Sequence, residues 1–128
     1  MRLLLDTHAL IWWLLGDDAL SATARHVIAD PGNESFVSAA SAWEVATKYR
    51  IGKLPEAAVF AADVARIVAA HGFTELPISI RHGQIAGSLP GIHKDPFDRI
   101  LVAQAITEDM AIVSRDAVLG AYGIVRLW

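Results

Sequence analysis

The stretch Arg2–Gly16, "RLLLDTHALIWWLLG", decides the fold, because two kinds of structure meet inside it. Three leucines form a short apolar run that Asp6 ends. "THALIWWLL" follows, long enough for a helix, and Gly16 closes it. A strand, a tight turn and a helix in fifteen residues is the opening of an α/β unit, and the rest of the chain repeats the pattern. "SATARHVIAD" begins with a capping Ser21 and stops before "PGN"; "SFVS" is a strand; "AASAWEVATKYRI" is a helix that ends near Gly52. "PEAAVFAADVARIVAAHG", with proline at its start and glycine at its end, reads as one helix. Beyond it come a strand-like "FTELPIS", a short helix "IRHGQIAGSL", a longer helix "PFDRILVAQAITED", a strand "AIVS", a helical turn "AVLGAY" and a last strand "IVRLW".

Apolar strands alternating with helices imply an α/β sandwich around a parallel sheet with right-handed crossovers. No linker, repeat or low-complexity segment divides the chain, so residues 1–128 are expected to form one domain. With 128 residues, 54% of them hydrophobic, it can bury roughly two-thirds of its unfolded surface. The chain has no cysteine, which excludes a disulfide framework, a thiol nucleophile and a thiolate metal site; any metal would take oxygen or nitrogen ligands. Asp6 and His8 interrupt the apolar amino terminus, which reads as mature structure and not as a signal peptide. No run of about 18 apolar residues suggests a membrane span, and a cytoplasmic protein is the default expectation. The net charge of −3 argues against broad adhesion to nucleic acid while leaving room for a local basic rim.

Ligand sites in open α/β sheets form beyond the carboxyl ends of the strands. Asp6 stands there after the first strand and Asp116 just past "AIVS". Glu44 lies in the helix after "SFVS", and Asp98 in the first turn of "PFDRILVAQA". Topology therefore allows four distant carboxylates to converge on one edge of the sheet. Each also has an ordinary structural reading. Asp6 can cap the next helix, Asp116 can be a turn residue, and "SAWE" from Ser41 to Glu44 fits a capping box. Asp95, ahead of Pro96, is a natural cap, and Asp98 suits the positive end of a helix dipole. As a group, four acids flanked by strongly apolar sequence are harder to explain that way. Crowded carboxylates repel and are costly to bury, and a hard divalent cation removes both difficulties.

Taken together, "LLLDTHALIWWL", "VSAASAWEVATKYRIGKL", "HKDPFDRILVAQA" and "IVSRD" resemble the PIN domain, specifically the VapC toxins of bacterial toxin–antitoxin pairs. The order and spacing of the four blocks carry the resemblance over nearly the whole chain. It implies a small three-layer α/β/α sandwich, a ribonuclease site dependent on Mg²⁺ or Mn²⁺, a homodimer, and inhibition by a VapB-type antitoxin. The family's acids fall on Asp6, Glu44, Asp98 and Asp116, which are the expected catalytic and metal-binding residues. Asp6 and Asp98 would bind the principal ion, with Asp116 and Glu44 holding a second or orienting the attacking water; one ion or two stays open. Asp95 lies beside the third acid and can assist it. Ser114 matches the hydroxyl residue before the last acid and would orient a carboxylate or water, as Thr7 would next to Asp6.

A basic rim completes the expectation. Lys48, Arg50 and Lys53 follow Glu44, while Lys94, Arg99 and Arg115 flank the other acids, as a phosphate-binding border would. Arg99 and Arg115 are the preferred substrate contacts, with Lys48 beside them. Of the five histidines, His8 and His93 lie near the motifs, whereas His26, His71 and His82 read as surface positions. Trp12, Trp13 and Trp43 are expected in the core, except that adjacent Trp12 and Trp13 point about 100° apart on a helix, so one of them faces outward or into a partner. The apolar first helix and the alanine-rich fourth favour a second copy of the chain as that partner. Two other activities stay in view. A phosphatase of the haloacid-dehalogenase type would want an aspartate where His8 stands, and a receiver-type domain a phosphoacceptor aspartate after "SFVS", where none occurs. An inert PIN-like module that only binds RNA or protein would not need all four acids.

Overall fold

A computed structural model describes residues 1–91 and 95–128. Five parallel strands, β1 (Arg2–Leu5), β2 (Glu34–Ser38), β3 (Thr74–Leu76), β4 (Ala111–Val113) and β5 (Arg126–Leu127), form one sheet in the order β3-β2-β1-β4-β5. Six α-helices surround it: α1 (Thr7–Leu15), α2 (Ala22–Ala29), α3 (Ala39–Arg50), α4 (Val64–Ala70), α5 (Ile80–Ser88) and α6 (Pro96–Glu108). Short 3₁₀ turns occupy Pro55–Val59 and Ala117–Tyr122.

The triple leucine of β1 explains the layering. As the central strand it is covered on both faces, so alternate side chains need apolar partners on opposite sides. Leu3 and Leu5 pack with Leu10, Ala24, Ile28 and Val68 of α1, α2 and α4. Leu4 faces the other way, onto Leu101, Val102 and Ala105 of α6. All three leucines are fully buried. The result is the expected three-layer α/β/α sandwich. A third apolar cluster, Ile11, Val45, Leu54, Ala57 and Phe60, pins α3 to α1.

Two expectations about elements change. "PEAAVFAADVARIVAAHG" is not one helix: Ala57 and Phe60 are buried, Phe60 leaves helical geometry at φ −137°, and Asp63 restarts the chain as α4 by accepting a hydrogen bond from the Arg66 amide. Burying Phe60 under α3 requires a turn where an unbroken helix would carry it past. The cap of α3 is also displaced. Ser38, not Ser41, is the capping residue, with its hydroxyl accepting from the Ala40 amide at 3.0 Å.

The strand order reverses between β1 and β4, which pair directly, and the Asp6 amide donates to the Val113 carbonyl just beyond them. A crevice outside the carboxyl ends of the strands is where such sheets bind ligands. Among the described residues no helix is long and apolar enough to cross a membrane.

Candidate active site

Asp6 stands at the mouth of that crevice and does two things. Its Oδ1 caps α1 by accepting from the Ala9 amide at 2.8 Å, yet the residue is 8% exposed. Burial pushes its pKa up, and the nearby Glu44 charge adds to the rise; hydrogen bonds from Ser114 and Ala9 and the proximity of His8 offset only part of it. Capping and crowding thus coexist in one carboxylate.

Glu44 projects from α3 and is 3% exposed. Because Ser38 caps the helix, Ser41 lies inside it and shares a 3.0 Å hydrogen bond with the Thr7 hydroxyl. The capping-box reading of "SAWE" therefore fails, and Glu44 is free of helix-end duty. One of its oxygens pairs with the Lys48 ammonium a turn later, while Oε1 is buried without a hydrogen-bond partner. Desolvation lowers the Lys48 pKa, but the bond to Glu44 and the charges of Glu44, Asp95 and Asp98 outweigh it and hold the pKa above its ordinary value. A single ammonium thus senses two of the four expected acids, Glu44 and Asp98, together with Asp95.

At α6 the two aspartates separate by role. Asp95 is the cap: its Oδ1 accepts from the amides of Phe97 at 2.9 Å and Asp98 at 3.2 Å. Asp98 sits half-buried in the first turn, with its side chain spared that task. Across the crevice, fully buried Ser114 joins the remaining pair, bonding the Asp6 carboxylate and accepting from the Asp116 amide at 3.0 Å. Asp116 is exposed and starts the 3₁₀ turn at Ala117 by accepting from the Val118 amide. Asp6, His8, Trp12, Arg115 and Asp116 line a recess of about 180 Å³.

Asp6 is thus within charge range of Glu44, Ser114 ties it to the Asp116 segment, and Lys48 feels both Glu44 and Asp98, although among the described residues no three carboxylate or imidazole groups are drawn close enough to share an ion as the side chains stand. Other expected site residues fall elsewhere. Arg99 turns from the crevice: its Nε and Nη2 donate to the carbonyls of Ala86 at 2.9 Å and Leu89 at 2.7 Å, closing the end of α5 against α6. Thr7 gives its hydroxyl to Ser41 and so braces α1 on α3. His93 and Lys94 lie outside the described residues. His82 is no surface residue. It is 2% exposed, with Nδ1 accepting from the Ser79 amide and Nε2 bonded to Glu108 at 2.9 Å. Only a Ser-x-x-His capping signal hinted at this. Trp12 and Trp13 are half-buried, and Trp43 is 62% exposed against the edge of Phe97. The Glu44–Lys48 pair was legible as an i,i+4 spacing, but that spacing usually marks a solvated helix face.

The PIN domain family profile matches residues 3–124. The chain belongs to the PIN domain family. Within it, 41 residues are 51% identical to Ribonuclease VapC16 of Mycobacterium tuberculosis, a match spanning 32% of this PIN domain and 28% of that protein's length. Among solved structures, Mycobacterium tuberculosis VapC20, a sarcin–ricin-loop-cleaving toxin, superposes with a TM-score of 0.70 at 16% identity, covering 96% of each chain. VapBC2 of Rickettsia felis, bound to a DNA fragment from its promoter, gives 0.68 at 12% identity over 98% of this chain and 97% of the other. VapBC-1 of nontypeable Haemophilus influenzae gives 0.66 at 12% identity over 98% and 96%. At these identities the likeness is one of fold.

Proposed function

We propose that this PIN domain is the toxin of a VapBC-type toxin–antitoxin pair, an endoribonuclease that hydrolyses RNA phosphodiester bonds with a divalent cation, Mg²⁺ or Mn²⁺. The observation that carries the reading is the buried Glu44, one oxygen on the Lys48 ammonium and the other without a partner, within charge range of Asp6. A site that needs an internal ammonium to hold its carboxylates together is built for a cation. The donors are all oxygens, which suits Mg²⁺ or Mn²⁺, and histidine is not required.

Asp6, Glu44 and Asp98 would hold the ion and Asp116 would complete the set or orient the attacking water. The chemistry such an ion supplies when bound is a water nucleophile at neutral pH and neutralised charge on the phosphoryl oxygens. The Ser114 hydroxyl bonds the Asp6 carboxylate and the Asp116 backbone amide, and so ties together the two chain segments that carry these acids. Lys48, displaced from Glu44, and exposed Arg115 are the phosphate contacts; Arg99 is better read as a brace between helices, because its guanidinium is engaged with carbonyls. A VapB-type antitoxin and a second copy of the chain are the partners this reading brings with it.

Calorimetric titration with Mn²⁺ tests the site apart from turnover. The parent should bind the ion, and Asp6→Asn should lose at least tenfold in affinity. A parent that binds no divalent ion, or releases phosphate from small phosphomonoesters while leaving RNA intact, would overturn the reading.

A further inference from the structure

The recess beside the acids has one wall that the metal chemistry does not use. Trp12 is half-buried on α1 and meets three neighbours: the Arg115 guanidinium lies 4.8 Å from its ring centroid, the His8 ring 5.5 Å away and the Trp128 ring 5.8 Å away. Asp6 and Asp116 line the same recess, whose volume is about 180 Å³. Arg115 and His8 are exposed and Trp12 is half-buried, so the recess is reached from solvent.

We propose that Trp12 and Arg115, with His8 beside them, form a stacking subsite for one unpaired nucleobase of the strand whose phosphate lies at Asp6 and Asp116. The inference rests on the nuclease reading and deepens it, since it names the residues that would hold a base beside the bound phosphate. Carboxylates that would hold a cation, beside an aromatic ring and a guanidinium in one recess, match the two chemistries of a nucleotide, an anionic phosphate and a flat base. Bases splayed from loops stack on aromatic rings and on guanidinium planes, whereas a base held in an A-form helix presents no free face. Every base has a π face, so this wall selects unpaired structure more than sequence. Arg115 serves twice, its charge towards phosphate and its plane towards the base, and a lysine would keep only the first.

The test uses a fluorescein-labelled single-stranded hexaribonucleotide of mixed sequence and its fully abasic counterpart, bound to the parent and to each variant with Ca²⁺ in place of Mg²⁺ so that binding is read without turnover. Anisotropy should show the base-containing probe bound about tenfold more tightly than the abasic one. Trp12→Leu should abolish that preference and Arg115→Lys should reduce the ratio of the two affinities severalfold, whatever it does to the abasic probe, while Trp12→Phe keeps most of it. Arg115 is exposed, so Arg115→Lys decides the matter even where circular dichroism shows that Trp12→Leu has not folded. Equal weakening of both probes, or no base preference at all, would overturn the subsite. Cleavage of the hexamer by the parent is scored separately: cutting without base preference sinks the subsite alone, and base-dependent binding without any cutting sinks the nuclease reading alone.

Discussion

Asp95 and Asp98 stand three residues apart at one helix mouth and make opposite forecasts for the same change. Asp95→Asn keeps the cap, since asparagine accepts the Phe97 and Asp98 amides equally well; melting temperature and most cleavage activity should be retained. Asp98→Asn loses a favourable charge at the helix start but relieves repulsion near Glu44 and Asp95, so stability should move by less than about 1 kcal/mol. Its RNA cleavage should collapse, and the rise in melting temperature that Mg²⁺ gives the parent should largely vanish. Asp6 adds a pH signature. Its folded pKa is raised, so its contribution is fully present below the ordinary value of 3.8 and is lost as pH rises through the folded value. Without metal, the stability of the parent relative to Asp6→Asn should therefore fall as pH rises above about 3.8, and saturating Mg²⁺ should cancel the trend; a constant difference across pH would contradict the burial argument. Asp6, Asp98 and Asp116 stood out in the sequence because they sit at strand and helix mouths, and Glu44 because strongly apolar sequence flanks it. Asp95 as the cap was legible too, from the Pro96 after it, and the Phe97 and Asp98 amides on its Oδ1 bear that out; which acids would share an ion was not, because a cap and a ligand use the same residue type at the same place.

Among the elements, α3 shows why one serine cannot be read in isolation. Ser38 and Ser41 both suit a cap, and the choice between them falls to the length of β2, which places Ser38 at the strand's end. Ser38→Ala should cost about 1 kcal/mol by chemical denaturation, while Ser41→Ala should act through the Thr7 bond and the packing of α1 on α3. The division of "PEAAVFAADVARIVAAHG" was hidden for a related reason: its helix propensity is uniform, and the break is imposed by burying Phe60. Buried His82 belongs with these, since its ties to Ser79 and Glu108 join α5 to α6. His82→Ala should destabilise by about 1–3 kcal/mol, with no direct effect on Mn²⁺ affinity.

At the scale of the molecule, the β1 leucine run carried the architecture, because a strand apolar on both faces can only be central in a covered parallel sheet. Assembly is less directly written. Ile80 is 92% exposed and Val59 77% exposed, and such side chains, together with the apolar α1, accord with a homodimer; sedimentation at micromolar concentration should show twice the 13.8 kDa chain mass. Under the proposed function, the acids near the reversal of strand order form a cation-dependent ribonuclease centre. Its most direct test is to incubate the purified protein with a mixed RNA pool, with Mg²⁺ and with EDTA, and to map every new end. Cleavage at few sites that requires the ion and disappears in Asp98→Asn is the predicted result. Cutting that persists in EDTA, or an Asp98→Asn variant as active as the parent, would contradict it.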